Sequence, residues 1–286
     1  MARMRSADAT GSAGERETLI VPRLSIIIVT FNSRADIDAC LRSLMDGVHI
    51  DREIVIVDNA STDETAAHIR DRWPGVRLID LGANLGFARA SNIGIQQTFG
   101  ELVLFLNPDT VVRSGAIDRL VAALDQDPQA AIIGPRIVDG DGNAELSFGR
   151  MISPLAELRQ KILLRGGRGV LRPLVERMTR RTRYVDWVSG ACLLARRADL
   201  DAAGLFDERF FLYTEDVDLC ASVRARGRRV LFFADVEIDH RRGRSAVSAP
   251  AATEAAYRRS QIAFYEKHHP GWAPFLRAYL WLFARR

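Results

Sequence analysis

Four side chains in this sequence have the types and settings for group-transfer chemistry: Asp109, the adjacent pair Glu215 and Asp216, and His240. Asp109 follows the apolar run Leu102–Leu106, which is bounded by Gly100 and Pro108 and reads as a buried strand. Pro108 cannot donate to a ladder, so the strand stops there. Asp109 is thereby delivered to the carboxyl edge of a sheet, where open α/β folds bind ligands. Glu215 and Asp216 open a helical pattern behind Phe210, Phe211 and Tyr213, at the end of the helix dipole that favours anions. His240 closes a later apolar strand. A hard divalent cation takes carboxylate oxygens and keeps positions for phosphate oxygens, and Mn²⁺ also accepts imidazole. Asp109 and His240 therefore suit a cation on a diphosphate, leaving Glu215 and Asp216 for proton transfer. Singly, each has a plainer reading: a turn, a helix cap, a polar strand terminus.

The elements around them have a regular order. Leu24–Thr30 and Glu53–Val57 are fully apolar runs, as parallel strands buried on both faces should be. Val76–Asp80 is a weaker strand. Helical patterns follow each: one with Ile37, Leu41, Leu44 and Met45 on a face, then Thr65–Trp73, Phe87–Thr98 and Ser114–Asp125. Ser61 and Glu64 have capping-box spacing ahead of the second. Alternation of this kind predicts a parallel α/β sheet with right-handed crossovers, whose strand ends at Thr30, Asp58 and Asn107 share one edge. Ala131–Pro135 is a short strand, and Asp139–Asn143 a hairpin turn that lacks the downstream glutamate of a calcium loop. Arg150–Arg183 is arginine-rich, with only Glu157 and Glu176 opposing, and reads as a basic insertion of one or two amphipathic helices. Tyr184–Arg196 is a strand pair or a strand broken at Ser189-Gly190. Arg228–Ala234 and Val236–His240 are two further strands. From Ala251 the chain is helical, and Trp272, Phe275, Leu276, Tyr279, Leu280 and Phe283 form an apolar stripe.

Composition narrows the class. The 286 residues carry a net charge of +4 with 48% hydrophobic and 27% charged residues, which is ordinary for a globular protein and gives no nucleic-acid-type field. Cys40, Cys192 and Cys220 are far apart in apolar settings, as reduced buried thiols of a cytoplasmic protein are. No apolar run reaches the roughly 18 residues that span a bilayer. The first 20 residues have no apolar core segment and read as a disordered tail rather than a secretory signal.

The motifs taken together resemble glycosyltransferase family 2, inverting nucleotide-sugar enzymes of GT-A fold. They are LSIIIVTFN from Leu24, IVIVDNASTDET from Ile54, NLGFARASNIGI from Asn84, LFLNPDT from Leu104, VSGACLLARR from Val188, GLFDERFFLYTEDVDLC from Gly204, and Asp239-His240. The resemblance runs from Leu24 to about Arg244 and is nearest to the rhamnosyltransferase-like branch.

What the resemblance implies is specific. The fold is α/β: a GT-A, mostly parallel, Rossmann-like sheet flanked by helices, with a C-terminal helical extension. Residues 21–248 form the catalytic domain, with 21–135 its nucleotide-binding half, 150–183 the basic insertion and 184–248 the acceptor-binding half; 249–286 are amphipathic helices. Thr30, Asn32 and Asp58 cup the nucleotide, and Asn84, Arg89 and Asn92 lie beside the phosphates. Asn107 stands at the first position of the family's acidic metal motif, so Asp109 keeps only one of two anionic ligands, with His240 as the other metal ligand, for Mg²⁺ or Mn²⁺. Asp216 is the general base, with Glu215 its rival, and Trp187, Phe211 and Tyr213 wall the acceptor. The implied reaction moves a sugar, rhamnose from dTDP-rhamnose, to a glycan or a polyprenyl-diphosphate-linked acceptor in cell-wall or surface polysaccharide synthesis. A UDP-sugar or another dTDP-sugar as donor, and a non-catalytic nucleotide-sugar-binding protein, are the alternatives. A dehydrogenase is disfavoured, because Thr30-Phe31-Asn32-Ser33 offers no GxGxxG after the first strand. The arginine-flanked stripe and the basic insertion fit peripheral contact with the inner membrane leaflet, or packing against the catalytic domain or a second copy in a homodimer; no nucleic-acid partner is expected.

Overall fold

The computed structural model describes residues 21–153, 172–241 and 250–283. The N-terminal tail, residues 154–171 of the basic insertion and residues 242–249 lie outside the described residues. The first half follows the expected alternation: β1 (Leu24–Thr30), α1 (Ile37–Gly47), β2 (Arg52–Asp58), α2 (Thr65–Arg72), β3 (Arg77–Asp80), α3 (Phe87–Gln96) and β4 (Leu102–Leu106). Strands β3, β2, β1 and β4 pair in parallel in that order, with Thr30 opposite Asp58 and Asp58 opposite Asp80. The ends of β1, β2 and β4 are therefore brought to one edge by register.

The second half departs from a simple parallel sheet. After β5 (Thr110–Val112), α4 (Ala116–Gln126), β6 (Ala130–Val138), the short β7 (Phe148–Gly149), α5 (Arg172–Thr179), β8 (Arg183–Val185) and β9 (Trp187–Val188) comes β10 (Cys192–Arg196). Strand β10 runs antiparallel between β4 and β6, with Cys192 opposite Leu106 and Arg196 opposite Leu102. Because it enters from the carboxyl edge, the preceding turn Ser189-Gly190-Ala191 lies at that edge beside Asn107. Helices α6 (Arg197–Ala203) and α7 (Glu215–Arg224) follow, then β11 (Arg229–His240), α8 (Pro250–His268) and α9 (Ala273–Phe283). Where the sequence reads two strands, β11 is one strand parallel to β6, with its register shifting between Phe233 and Glu237. Its last residues turn back along β5 in antiparallel pairing, His240 opposite Thr110.

The apolar residues of the strands point alternately to two cores. Ile27, Val29, Val55, Val57, Val103 and Phe105 face one, and Leu24, Ile26, Ile28, Ile56, Leu104 and Leu106 the other. Both faces are thus covered, which is why the strands carry no polar alternation.

Two local expectations are corrected. Ser61 does not cap α2: its hydroxyl donates to Asp58 Oδ1 at 2.6 Å, and Asp63 instead accepts from the Thr65 backbone N–H at 3.2 Å. The capping-box spacing is overridden because Asp58, at the strand end, offers Ser61 a charged acceptor. The C-terminal extension is helical as expected and packs on the sheet's core. Helix α8 inserts Phe264 and Tyr265 into the same core as β1, β4 and α7, and Ser260 donates to Leu212 O at 2.8 Å. The predicted stripe of α9 is divided: Ala273 is buried and Leu276 packs on that core, whereas Trp272, Phe275 and Tyr279 are exposed.

This division gives a test. Phe264→Ala should lose about 3–5 kcal/mol in urea unfolding, the range for emptying a buried aromatic site. Phe275→Ser, at an exposed position, should change stability by no more than about 0.5 kcal/mol. Equal effects would show that α8 is not part of the core.

Candidate functional site

At the carboxyl edge of β1 and β2, polar side chains build a rigid cup. Thr30 Oγ1 donates to Asp58 Oδ1 at 2.8 Å, and the Ser61 backbone N–H donates to Asp58 Oδ2 at 2.9 Å. Asn32 adopts a left-handed backbone, φ 53°, its N–H donates to Ser61 Oγ at 2.9 Å, and its Oδ1 accepts from Thr62 N–H at 2.8 Å. Asn59 extends the network, donating from Nδ2 to Asn84 Oδ1 at 2.9 Å and accepting from Leu85 N–H at 2.7 Å. The Asn84 side chain thus shapes its loop, while its residue stays exposed at the rim. Sequence reasoning passed over Asn59, although it sits inside the quoted VDNAS segment.

Helix α3 carries the next two candidates in different settings. Arg89 is exposed and lies 3.6 Å from Glu208. Asn92 is buried, and its carboxamide spans the Phe206 backbone, donating to Phe206 O at 2.9 Å and accepting from Phe206 N–H at 3.0 Å. Its polar atoms are thereby committed to holding the 204–208 loop against α3, so its contribution to any ligand runs through that loop. Gly86, at φ 85°, lets this loop pair reach the acceptor side: a Cβ there would meet Phe211 O at 2.5 Å. Phe87 N–H donates to the same carbonyl at 2.8 Å.

The third group comes from β4, β5 and β11. The pairing of Thr110 with His240 brings the imidazole beside Asp109, with Nε2 3.2 Å from Asp109 Oδ1 and 3.4 Å from Asn107 Nδ2. On the other side of the ring, Nδ1 lies 3.5 Å from Glu145 Oε2. Burial pulls the His240 pKa down, but the hydrogen bonds and charges of Asp109 and Glu145 outweigh it and push the value up to about 9. At neutral pH the ring is therefore an imidazolium supplying positive charge between two carboxylates. A divalent cation fits the same electrostatic demand. Two ligands on neighbouring positions of an octahedral ion, each at roughly 2.1 Å, stand about 3 Å apart, which the Asp109–His240 spacing of 3.2 Å matches. No cage of three or more His, Cys, Asp or Glu ligands is formed among the described residues. The pair leaves room for ligands from a diphosphate. All three cysteines are buried, and burial pushes the Cys40 and Cys220 thiols up to about 12, so neither is a nucleophile or thiolate ligand.

The fourth group is α7. Tyr213 and Thr214 precede it with φ of 67° and 66°, a conformation that non-glycine residues hold at a cost of about 1–3 kcal/mol each. As adjacent residues at the helix start, the two acids face different surroundings. Glu215 is only 7% exposed, and its Oε2 has no hydrogen-bond partner. Asp216 is half-buried and accepts from Gly190 N–H and Val217 N–H, both at 2.8 Å. Burial raises both carboxyls, and for Glu215 the neighbouring Asp216 charge adds to it, whereas backbone N–H groups work against the rise at Asp216. Of the pair, Asp216 is the one held ready to carry the charge. Asp218, 1% exposed, accepts from Lys267 at 2.8 Å and engages His268 at 2.6 Å, tying α8 to α7.

The aromatic candidates separate. Phe211 and Tyr213 are exposed, and Tyr213 meets Tyr257 of α8 edge-on with ring centroids 5.9 Å apart. Trp187, expected on the acceptor wall, is core instead: it is 6% exposed, packs over Gly149, and donates from its indole N–H to Arg150 O at 2.9 Å. The large apolar ring is better buried than solvated, and the Arg150 carbonyl satisfies its one polar atom.

A mostly parallel sheet thus brings polar strand ends, a carboxylate–imidazole pair and an acidic helix start to one edge. The chain belongs to glycosyl transferase family 2, whose family model matches residues 25–195. It is 34% identical over 273 residues, covering 87% of this chain and 86% of the relative, to an N-acetylglucosaminyl-diphospho-decaprenol L-rhamnosyltransferase of Mycobacterium tuberculosis. It is 31% identical over 208 residues, 70% of this chain and 61% of the relative, to a low-salt glycan biosynthesis hexosyltransferase of Haloferax volcanii. A solved mannosyltransferase from Pyrobaculum calidifontis, in complex with GDP-Man and Mn²⁺, superposes with a TM-score of 0.59 at 18% identity, over 92% of this chain and 70% of that one. A crystal structure of GalNAc-T7 with UDP, GalNAc and Mn²⁺ superposes with a TM-score of 0.58 at 17% identity, over 78% of this chain and 44% of that one. The fold is GT-A.

The setting of Glu215 makes a prediction about stability. Its folded pKa is raised from 4.5, so the carboxyl favours folding most below that value and loses this advantage as pH rises through the folded pKa. Glu215→Gln does not titrate. The melting temperature of the variant relative to wild type should therefore climb between pH 5 and pH 8. A difference that is constant with pH would contradict the buried, unpartnered carboxylate.

Proposed function

We propose that the chain transfers L-rhamnose from dTDP-rhamnose to a saccharide carried on polyprenyl diphosphate, with inversion, in cell-wall or surface polysaccharide synthesis. The observation that carries the reading is the turn between β9 and β10. Ala191 O accepts from Asn107 N–H at 3.0 Å on the β4 side, and Gly190 N–H donates to Asp216 at 2.8 Å on the α7 side. Two consecutive residues thus tether the diphosphate end of the cleft to the carboxylate base. The donor and acceptor assignments draw on the rhamnosyltransferase relative and its decaprenyl-diphosphate-linked acceptor.

In this reading the Thr30, Asn32 and Asp58 cup receives the nucleoside, and the Asn84 loop, Arg89 and the Asn92-held loop border the phosphates. Asp109 and His240, with Asn107 beside them, would hold Mg²⁺ or Mn²⁺, and such an ion would supply positive charge to a departing diphosphate. Asp216 takes the proton from an acceptor hydroxyl as its oxygen attacks the anomeric carbon. The bond from that carbon to the diphosphate oxygen breaks, and its electron pair leaves with the nucleoside diphosphate. Arg89, exposed at the rim, supplies further positive charge to that group. Phe211 and Tyr213, with Tyr257, offer an aromatic surface to the acceptor. Residues 21–135 serve the donor and 184–248 the acceptor.

Asp216→Asn keeps the side chain's size and removes its basicity. Its kcat should fall by about 10²–10⁴-fold, while dTDP-rhamnose still raises the melting temperature as it does for wild type. Glu215→Gln should cost much less. The wild-type rate should fall on the acid side as Asp216 protonates, at a pH above the ordinary aspartate range, because its pKa is raised. Near-normal kcat in Asp216→Asn would remove the base assignment. A larger thermal shift with UDP-sugars than with dTDP-rhamnose would replace the donor.

The same reading places the protein against the inner leaflet. Among the described residues no helix is long and apolar enough to cross a membrane. Trp272, just before helix α9, and Phe275, Tyr279, Trp281 and Leu282 on it are exposed, as is Arg277, a pairing of interfacial aromatics and cations suited to anionic lipid. Co-sedimentation with phosphatidylglycerol vesicles should be strong for the full chain and weak for a Trp272→Ser, Phe275→Ser, Tyr279→Ser variant. Equal pelleting of the two would sink the membrane contact, and concentration-dependent dimerisation lost in the variant would assign the face to a second copy.

A further inference from the structure

We propose that Glu145, which the sequence motifs do not mark, is the positioning residue for His240: it takes the ring's Nδ1–H and so turns the Nε2 lone pair toward Asp109. This deepens the metal-assisted reading above and rests on it.

The backbone fixes Glu145 more firmly than its place after a turn would indicate. Strand β6 ends at Val138, and the following turn is closed by Asp139, which accepts from Asp141 N–H at 3.0 Å and Asn143 N–H at 2.8 Å. Ala144 then bridges back to Val138, and Glu145 N–H donates to Ile137 O at 2.9 Å. Strand β6 is itself parallel to β11, with Ile137 beside Ile238 and Val138 beside Asp239. Glu145, on the segment bonded back to β6, is therefore held next to His240 on β11, and its carboxylate is only 10% exposed.

The chemistry follows from the two faces of one ring. A neutral imidazole has one N–H and one lone pair. His240 Nδ1 is buried and has no hydrogen bond of good geometry, and the Glu145 carboxylate faces it at 3.5 Å. His240 Nε2 faces Asp109 Oδ1 at 3.2 Å. With Asp109 committed to a cation, a proton on Nε2 would be repelled by that cation and would leave the Nδ1 lone pair against a carboxylate. A proton on Nδ1 satisfies both ends. A histidine ligand that hands its other N–H to a carboxylate is held in tautomer and orientation, and losing such a partner typically weakens metal binding about 10–100-fold.

The test measures Mn²⁺ itself, by paramagnetic resonance of the free ion, with and without dTDP. Wild type should bind Mn²⁺, and Glu145→Ala should weaken the affinity about 10–100-fold. Glu145→Gln, whose carbonyl still accepts from Nδ1–H, should recover most of it. Glu145→Leu, of similar length with no acceptor, should behave as Ala does and covers the case in which the smaller side chain fails to fold. Wild-type affinity in Glu145→Ala or Glu145→Leu would overturn the inference while leaving the metal reading intact. Gln as weak as Ala would overturn it too, because charge rather than ring placement would then be what matters. No Mn²⁺ binding by wild type would overturn the metal reading and this role together.

Discussion

One reversed strand organises the site. Strand β10 is fully buried from Cys192 to Ala195, and a buried strand must find partners for its backbone groups on both sides. It finds them antiparallel to β4 and β6, which fixes Cys192 opposite Leu106 at the carboxyl edge. Because that register is set by apolar side chains facing two cores, a slip of one residue would turn each of them to the wrong face. The turn that feeds β10 therefore has a defined place: its Gly190 amide reaches Asp216 and its Ala191 carbonyl reaches Asn107. A stable core decides, through backbone geometry, how Asp216 sits relative to the carboxyl edge of β4.

Charge is arranged differently at the two ends of the cleft. At the β4–β11 end, Asp109 and Glu145 flank His240, so anionic groups converge and call for positive charge. At the α7 end, Asp216 is steadied by two backbone N–H groups and the start of a helix, while Glu215 lies buried without a partner on Oε2. Dipoles stabilise a carboxylate without neutralising it, and Asp216 stays free to accept a proton. Tyr213 and Thr214 enter the helix in a strained conformation, and strain of this sort persists only where surrounding structure imposes it. Here that structure includes α8, whose Lys267 and His268 hold Asp218 on the same helix as Asp216.

Much of this was legible in the sequence, for physical reasons that can be named. Unbroken apolar runs such as Leu24–Thr30 and Leu102–Leu106 have one stable use in an α/β chain, so β1, β2 and β4 and their polar ends were readable. The motifs added the roles proposed for Asp109, Asp216 and His240. What stayed hidden depends on long-range pairing. The antiparallel sense of β10 carries no local signal, and Glu145 approaches His240 only because β6 and β11 are neighbours across about a hundred residues of chain. Trp187 misled because an aromatic near a motif looks the same whether it faces a ligand or Gly149. Ser61 misled because cap spacing does not reveal that Asp58 competes for its hydroxyl. The part that Phe264 and Tyr265 of the C-terminal extension play in the core also stayed hidden, because it shows only against a core made by other elements.

The central claim is that one carboxylate, Asp216, drives a single displacement at the edge where donor and acceptor meet. No second nucleophile is needed in that account, so the sugar must arrive with its anomeric configuration reversed. Proton NMR of the product formed from dTDP-rhamnose, read at the anomeric signal against the donor's, measures this directly. The account predicts inversion in the first-formed product, and retention of configuration would contradict it.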